Sequence, residues 1–507
     1  MFPIIISCVL IATVISDDAQ NVVVRDVTKR SISESAIHPE SLAFRLEFPQ
    51  DTVILHLQRR DSLNRRSVPV YSSDEDGNVQ REELDYGDSA LYQSLDKRAA
   101  VTVIAKRLAN GRIQRSLMGL FDMNDDGTVA IIERSDPPVA DRKRNAADPP
   151  VADRKRDVDE KPGVTHKVTR RAITQVFDES DLDQSVKVIR REEKRAVKRG
   201  TKVRTNFVEL SVIVDFSSYS AFKKDVAAIT KYYNQIVNGM DIVYKTILDP
   251  KIRVSLSTFY IAKRAGDSPW TDKSPDKKAD GSIDSGKVLD SLKNWIQQSG
   301  EKFGLKDHTM LFTSLDLFSP SLSAPKSNTG KAYVGAICNP PFATSVVENN
   351  GLVSTFTAIH ELAHNLNANH DESGNSCKRS AGNIMGSGSL GFSTCTIQYF
   401  KDKISTLSPN CLRNKPNETA EFAAVTKLPG QIYSLTEQCQ MLQGPSSELC
   451  YFGKQDLTTI CKELACKTPS GSCSKSTKSI AAEGTQCGNK MWCKATECVR
   501  SKKAPPL

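Results

Sequence analysis

The sequence predicts a central α/β domain, preceded by a β-rich region and followed by a small module held together by disulfides. Three observations support this prediction. The chain has 507 residues, enough for about three domains. Strands alternate with helices in its middle part. After Cys8, its cysteines divide the chain into three regions: residues 17–337 contain none, four lie from Cys338 to Cys411, and eight lie from Cys439 to Cys498.

The composition excludes several classes of protein. Hydrophobic residues make up 39% and charged residues 25% of the chain, so a sizeable core can form, and collagen-like or wholly disordered chains are excluded. The formal charge of +9 comes from 69 basic and 60 acidic residues, a small imbalance for this length, so nucleic-acid binding is not predicted. Beyond residue 16 no segment has the roughly 18 uninterrupted apolar residues of a membrane helix, so no membrane span is expected. We expect a monomer.

The N-terminal apolar run Met1–Ile15 predicts a secretory signal, residues 1–16, cleaved after Ser16. A membrane anchor needs about 20 apolar residues, more than this run has. Removing the signal also removes Cys8, one of thirteen cysteines, and leaves an even number that suits an oxidising compartment. We therefore expect a secreted, extracellular protein.

Residues 17–199 are predicted to be a β-rich propeptide with a flexible linker. Strand-like segments occur at Ser41–Leu57, Ala99–Ala105 and Thr128–Glu133. The Pro-rich nonamer DPPVADRKR, at 136–144 and again at 148–156, is typical of an exposed linker. Basic pairs follow at Arg170-Arg171, Arg190-Arg191, Lys194-Arg195 and Lys198-Arg199. Such pairs in a flexible secretory segment are typical of processing sites, and we predict cleavage after Arg199.

The α/β pattern lies in residues 200–414. The predicted elements are a strand at Val208–Val214, a helix over Asp225–Leu248, a strand at Ile252–Ile261, a helix at Gly286–Gln298 and a strand at Thr309–Thr313.

Three of the seven histidines lie in one segment, HELAHNLNANHD, residues 360–371. His360 and His364 are one helical turn apart, so both imidazoles project from one face and can meet one ion. His370 can reach the same ion only if the chain turns back near Asn367 at a residue with positive φ, which Asn tolerates better than other non-glycine residues.

This pattern predicts a catalytic zinc site. Three histidines supply three neutral ligands and leave a fourth position to water, whereas a structural zinc protein would have four closed ligands. Glu361 is the predicted general base, which takes the proton of the water and returns it to the leaving amine.

The same segment, followed by Asn383-Ile384-Met385-Gly386, resembles the metzincin zinc proteases. The aspartate directly after the third histidine, Asp371, resembles the pattern of their reprolysin (adamalysin) branch. The resemblance covers about residues 200–414. It implies a mixed, mostly parallel sheet with an antiparallel edge strand, and a methionine turn at Met385 beneath the metal. The family normally has glycine where this chain has Asn367.

Further site residues are implied by this resemblance. Ala332, Tyr333, Val334 and Gly335 resemble the substrate-binding edge strand of the family. The implied disulfides are Cys338–Cys411 and Cys377–Cys395. An implied calcium site comprises Glu209, Asp307, Asn414 and the carbonyl of Cys411, all oxygen ligands. Reprolysin-like zymogens commonly block zinc with a propeptide cysteine. Residues 17–199 contain none, so latency would need steric cover or another ligand, for example His166.

The C-terminal part divides into a linker, residues 415–432, and a module, residues 433–507. The module resembles the cysteine-rich module that follows the protease domain in ADAMTS-like and arthropod secreted reprolysins. Its eight cysteines leave the disulfide pairing open. Asn417 begins an N-glycosylation sequon.

Together these patterns predict a secreted zinc metalloendopeptidase, made as a zymogen, that hydrolyses matrix or host proteins outside the cell. The alternative is a catalytically weak, toxin-like binding protein that acts through its cysteine-rich module. Glu361 favours the enzyme, because a binding module has no need of a general base.

Overall fold

The computed structural model describes residues 5–8, 19–33, 36–49, 51–60, 67–85, 88–123, 128–134, 164–172, 204–320, 329–388, 391–414, 416, 427–444, 446–450, 457–468, 470–474, 480–494 and 497–506. The predicted processing site Arg199, the sequon at Asn417 and both nonamers lie outside these residues. Within them, no helix is both long and apolar enough to cross a membrane.

The N-terminal region forms a closed β-barrel. Its elements in chain order are β1 (Ile5–Cys8), β2 (Gln20–Asp26), α1 (Arg30–Ser33), β3 (Ser41–Phe48), β4 (Asp51–Arg59), β5 (Ser67–Ser73), β6 (Val79–Asp85), β7 (Ser89–Ser94), β8 (Ala99–Arg107), β9 (Ile113–Asp122), β10 (Thr128–Arg134) and β11 (Val164–Ala172). The barrel runs in the order β10-β11-β2-β3-β4-β7-β8-β9. Alternate side chains fill its interior, among them the buried Phe44, Leu55 and Phe121.

Two sequence predictions for this region are wrong in detail. The strand-like segment Ser41–Leu57 is a hairpin of β3 and β4. Pro49 stands at its turn, where the missing N–H of proline costs no ladder hydrogen bond. The basic pair Arg170-Arg171 lies in β11, which pairs with β10 and β2, so it belongs to the barrel wall and not to a flexible linker.

A mixed sheet flanked by helices forms the centre of residues 204–414, as the sequence predicts. The elements are β12 (Thr205–Val214), α2 (Phe216–Ala221), α3 (Val226–Lys245), β13 (Lys251–Ile261), β14 (Ile283–Asp284), α4 (Ser285–Ser299), β15 (His308–Thr313), β16 (Leu317–Phe318), β17 (Gly330–Tyr333), β18 (Thr344–Glu348), α5 (Ser354–Asn365) and α6 (Thr394–Thr406). The sheet order is β1-β17-β18-β15-β12-β13-β5-β6. Strands β13, β12, β15 and β18 are parallel, and β17 is antiparallel to β18.

The sheet is not confined to residues after 199. Hairpin β5–β6 extends it, because β5 pairs in parallel with β13 through Val70 opposite Phe259 and Tyr71 opposite Tyr260. A region that the sequence assigns to the propeptide thus completes the sheet on the side away from β17. A pairing between segments this far apart has no local sequence signal.

Two helices carry the core on one side of the sheet. Asp225 is the N-cap residue of α3, and its side chain accepts a hydrogen bond from the N–H of Ala228. All twelve residues of α5 are buried, so this helix lies inside the domain and not on its surface. The hydroxyl of Tyr244 in α3 donates to the carbonyl of Ile359 in α5 at 2.9 Å and fixes the two helices against each other.

Six disulfides pair the twelve cysteines from Cys338 onwards. Two lie in the central domain, Cys338–Cys411 and Cys377–Cys395, the pairs that the resemblance implies. Four lie in the module and settle the pairing that the sequence leaves open: Cys439–Cys466, Cys450–Cys473, Cys461–Cys493 and Cys487–Cys498. Helix α7 (Pro429–Ile432) lies at the end of the predicted linker. The module contains α8 (Leu435–Gln443), β19 (Cys466–Lys467), β20 (Cys473–Ser474), β21 (Gln486–Gly488), β22 (Met491–Lys494) and β23 (Glu497–Arg500). Half of the buried residues of its core are cysteines, and the other half are leucine, isoleucine and alanine.

Candidate metal centre

The three histidines of the segment 360–371 converge on one point. The Nε2 atom of His360 lies 3.0 Å from that of His364 and 3.2 Å from that of His370, and the last two are 3.2 Å apart. All three side chains are fully buried. Two come from successive turns of α5, and the third returns after the helix ends at Asn365.

Backbone carbonyls orient two of the rings. The Nδ1 atom of His360 lies 2.8 Å from the carbonyl oxygen of Ile384, and that of His364 lies 2.7 Å from the carbonyl oxygen of Ala368. Each Nδ1 must carry the proton to bond a carbonyl, so each Nε2 points its lone pair at the common centre. Burial lowers the pKa of His364 to about 4 and that of His360 well below its usual value, which keeps both rings neutral as metal ligands.

This donor set fits zinc. Nitrogens that lie about 2.0–2.1 Å from one zinc ion at tetrahedral angles are roughly 3.4 Å apart, slightly more than the 3.0–3.2 Å seen here. Lone pairs at such distances repel unless a cation lies between them. Three neutral imidazoles therefore form a site with a position left for a water molecule, and no fourth protein ligand joins this group among the described residues.

The turn that returns His370 to the site is made at Asn367, whose φ is 79°. Its N–H donates to the carbonyl of His364 at 2.8 Å, and the N–H of Gly335 donates to the same carbonyl at 2.9 Å. Gly335 has a φ of 65°, and a Cβ at this position would lie 2.5 Å from the Oδ1 of Asn367. The side chain of Asn367 thus occupies space that only a glycine at position 335 leaves open.

This contact makes a testable prediction. Asn367→Gly should keep the turn and the zinc site, because glycine adopts a positive φ freely. Asn367→Ala should lower stability by about 1 kcal/mol, because alanine has no local hydrogen bond to offset the left-handed conformation. Gly335→Ala should lower stability more in the wild type than in the Asn367→Gly variant, because that variant lacks the side-chain amide of Asn367 that the new methyl group would meet. Thermal unfolding of the four proteins and the double variant measures this coupling, and strict additivity would contradict it.

The turn at Met385 supports the site from below. Met385 is fully buried, and its carbonyl accepts a hydrogen bond of 2.8 Å from the N–H of Asp371. The preceding carbonyl, of Ile384, orients His360. Asp371 itself accepts a hydrogen bond of 2.6 Å from Ser393, the N-cap residue of α6. No sequence pattern predicts this hydrogen bond. The turn therefore positions a ligand through its backbone, while its methionine fills the core.

Glu361 lies next to the first ligand and is fully buried. Neither of its carboxylate oxygens has a hydrogen-bond partner among the described residues. Burial raises the pKa of Glu361 well above its usual value, and the nearby charge of Lys331 opposes this rise. A buried carboxylate with no protein donor can accept a proton from a molecule in the site.

The backbone of β17 comes very close to Glu361. A Cβ at Gly330 would lie 2.5 Å from Glu361 Oε1 and 2.7 Å from Thr357 Cγ2. Gly330 is not among the sequence-predicted site residues. The contact joins β17 to α5, which are distant in sequence. The one local signal for it is a glycine two residues before Ala332, where the segment that resembles the edge strand of the family begins.

The edge strand is offset from its predicted position. Strand β17 ends at Tyr333, and Val334 and Gly335 form a turn, because the positive φ of Gly335 bends the chain towards His364. Ala332 and Tyr333 lie in the strand as expected. On its outer side β17 pairs antiparallel with β1, Ile5 opposite Tyr333 and Cys8 opposite Gly330, so this edge can hold an extended segment.

Three residues of the implied calcium site, Glu209, Asp307 and Asn414, meet. Asp307 Oδ2 accepts a hydrogen bond of 2.9 Å from the N–H of Glu209, and the side-chain amide of Asn414 donates to Glu209 Oε2. Cys411, bonded to Cys338, lies three residues before Asn414. The pKa of Asp307 is raised to about 7: burial is the main cause, the negative charge of Glu209 adds to it, and the hydrogen bond from the N–H of Glu209 opposes it. Two adjacent carboxylates with oxygen neighbours fit a calcium ion, which would relieve this repulsion.

His166, considered as a ligand that could block the zinc, has a different role. It is fully buried in the barrel wall, where its Nε2 accepts a hydrogen bond of 2.9 Å from the N–H of Leu117. Its Nδ1 lies 2.9 Å from the carbonyl of Val164. The imidazole therefore links two strands of the barrel.

Comparisons with known proteins agree with this geometry. Residues 206–416 match the Reprolysin (M12B) family of zinc metalloproteases, and residues 429–499 match ADAMTS cysteine-rich domain 2. The mouse (Mus musculus) protein "A disintegrin and metalloproteinase with thrombospondin motifs 18" is 36% identical over 220 residues, covering 42% of this chain and 18% of that protein. The mouse protein of the same description numbered 16 is 37% identical over 222 residues, with the same shares. The chain thus matches less than a fifth of the length of these relatives.

Proposed function

This chain carries a reprolysin-type metalloprotease domain followed by a C-terminal cysteine-rich module, and on that basis we propose that it is a secreted zinc-dependent endopeptidase made as a zymogen. Its substrates are proteins outside the cell, of the matrix or of a host. The observation that carries the proposal is the convergence of three buried, neutral imidazoles beside a buried carboxylate without a protein partner.

His360, His364 and His370 would hold the zinc, which supplies Lewis acidity and a water of lowered pKa. Glu361 takes the proton of the attacking water and returns it to the nitrogen of the leaving amine. Neither carboxylate oxygen of Glu361 has a hydrogen-bond partner among the described residues, which leaves both oxygens available to take that proton. The carbonyls of Ile384 and Ala368 keep two imidazoles in the tautomer that this role needs.

The outer edge of β17 would hold the substrate. An extended peptide would pair with Gly330–Tyr333 by main-chain hydrogen bonds. This pairing would fix the peptide backbone, and with it the direction in which the peptide runs along the site. The antiparallel pairing of Ile5–Cys8 with this edge supports such a mode of binding.

The proposal predicts activity that depends on a metal. The full-length chain is expressed in cells, and the processed protein is collected from the medium. This protein should cleave casein or gelatin in a zymogram, lose that activity with a chelator and regain it with zinc. Activity that a chelator leaves intact would contradict the zinc mechanism. Absence of activity from a processed, zinc-loaded protein would favour the alternative of a binding protein that acts through its module.

Secretion and maturation form part of the same proposal. Six disulfides are compatible with an oxidising compartment and with removal of a signal at residues 1–16. The propeptide would span residues 17–199, with cleavage after Arg199, and the protease domain 200–414. The linker 415–432, with glycosylation at Asn417, would join it to the module 433–507.

We also propose that Glu209, Asp307, Asn414 and the carbonyl of Cys411 bind a structural calcium ion. Without calcium, thermal stability should fall by several degrees as the pH rises from about 5 to 8. An unfolded aspartate has a pKa of about 3.9, so with a folded pKa of about 7 the folded state holds the extra proton in this range and loses stability as it ionises. Calcium binds the ionised form and should stabilise the protein more at pH 8 than at pH 5.

Thermal unfolding with a calcium-selective chelator, compared with added calcium, measures this effect. Asp307→Asn should abolish both the slope with pH and the response to calcium. Asp76→Asn, in an exposed turn, serves as the matched control and should leave both unchanged. A calcium response that is equal at both pH values would overturn the site.

A further inference from the structure

The N-terminal region shares one hydrophobic core with the protease domain. Val70 and Leu120, from hairpin β5–β6 and from the barrel, are buried in the same cluster as Ile236 of α3 and Ile359 of α5. Leu120 packs where α3 meets α5: a Cβ at Gly239 would lie 3.5 Å from Leu120 Cδ2 and 2.6 Å from Thr355 Cγ2. This interface is packed like the interior of one domain.

Buried polar groups join the same two parts. Gln93 of the barrel donates to Asn238 Oδ1 and to Asp241 Oδ2, both at 3.0 Å. Thr102 donates to Gln235 Oε1 at 2.6 Å, and the amide of Gln235 donates back to the carbonyl of Ala100 at 2.8 Å. Separating the two parts would leave these groups of α3 without their partners.

An ion pair lies at the centre of this interface. Arg60 of the N-terminal region is 3.3 Å from Asp241, and the two side chains are 1% and 0% exposed. Arg253, from the protease domain, binds the same carboxylate at 2.8 Å. Burial alone would raise the pKa of Asp241, but Arg253 and Arg60 hold it well below its usual range. Removing one partner of a buried pair is strongly destabilising.

The barrel also binds the cysteine-rich module. Tyr433 of the module is fully buried and packs on His56 of β4, with ring centroids 5.5 Å apart. Lys29 pairs with Glu437 at 2.7 Å and donates to the carbonyl of Ile432 at 2.7 Å. The barrel thus connects the module to the protease domain.

These contacts lie away from the zinc ligands. Hairpin β5–β6 extends the sheet beyond β13, whereas β17 lies near the opposite side. The barrel reaches α5 near Thr355 in its first turn, while His360 and His364 belong to later turns. The barrel therefore contacts a part of the protease domain that is separate from the zinc ligands and Glu361.

We propose that residues 19–172 remain bound after the connecting segment is cut, so that the mature protein is a two-chain complex in which the barrel holds the module to the protease domain. This inference rests on the proposed processing before residue 204. The retained partner is the N-terminal fragment of the same chain, bound by the shared core, the added hairpin and the Arg60–Asp241 pair.

The test uses the full chain with a site-specific protease sequence in place of residues 190–199 and with Glu361→Gln, so that neither natural processing nor activity is needed. After cutting, the two fragments should elute together at the mass of the uncut protein, also after dilution below micromolar concentration, and should separate only in denaturant. Elution of the N-terminal fragment alone in native buffer would overturn the proposal.

Interface variants identify the contacts responsible. Arg60→Ala and Gln93→Ala should each raise the dissociation constant of the cut complex at least tenfold, while the uncut chain stays folded. Gln93→Ala is the milder change and keeps the test usable if Arg60→Ala does not fold. Arg112→Ala, an exposed arginine of the barrel, is the matched control and should change nothing. Equal dissociation constants for all four proteins would contradict the assigned interface.

Discussion

Glu361→Gln should lower turnover by a factor of roughly 10²–10⁴ while the fold and the zinc content stay unchanged. Glutamine keeps the volume of the side chain but cannot take a proton from water or pass it to the leaving amine. Both oxygens of Glu361 lie buried without a protein partner among the described residues, so the substitution breaks no hydrogen bond that stabilises the fold. The loss should appear in kcat, because the proposed role of Glu361 is to take a proton from the reacting water.

The measurement is kcat and KM on a quenched peptide, with zinc content determined by atomic absorption and stability by thermal unfolding. Glu372→Gln is the matched control, since Glu372 is close in sequence to the third ligand but exposed. It should retain wild-type turnover. Full activity of Glu361→Gln would rule out the proposed base, whereas loss of zinc from this variant would mean that the carboxylate has a structural role.

Gly330→Ala should reduce kcat about 100-fold with only a small loss of stability. The added methyl group would lie 2.5 Å from Glu361 Oε1 and 2.7 Å from Thr357 Cγ2. The carboxylate is the end of a flexible side chain and can move at little cost in stability, but a displacement of about 1 Å can cost two orders of magnitude in rate. The small stability change and the large rate change together separate this effect from general misfolding.

Kinetics and thermal unfolding of Gly330→Ala test this expectation. Gly266→Ala is the matched control, because a Cβ at Gly266 meets no atom within 4 Å. It should behave like the wild type. Wild-type kcat for Gly330→Ala would show that the edge strand does not set the position of Glu361. A rise in KM alone would assign Gly330 to substrate binding.

Much of the candidate site follows from local sequence. The spacing of His360 and His364 is one helical turn, so the helix itself brings the two rings to one face. The need for a positive φ at Asn367 follows from the short distance along the chain to His370, and the observed φ is 79°. The strands and helices predicted for residues 208–313 were also predictable, because each has its own periodicity, and α3 in addition has the N-cap residue Asp225.

Contacts between distant segments could not be predicted in the same way. Gly330 and Glu361 are 31 positions apart in the chain and meet only because β17 packs on α5. The basic pair Arg170-Arg171 looked like part of a linker, since its letters do not show that β10 and β2 pair with it. The cysteine pairing within the module is likewise a property of its folded core and not of its spacing.

By itself, the sequence predicted the ligand set, the general base and the order of the regions, because helical periodicity and ligand chemistry operate over a few neighbouring residues. Only the tertiary structure decided that hairpin β5–β6 completes the protease sheet, that Arg60 meets Asp241 and that the barrel binds the module. The physical reason is that burial and strand pairing depend on which surfaces and strand edges come together in the folded chain. These surfaces and edges belong to segments 100 or more residues apart, so local sequence does not specify their contacts.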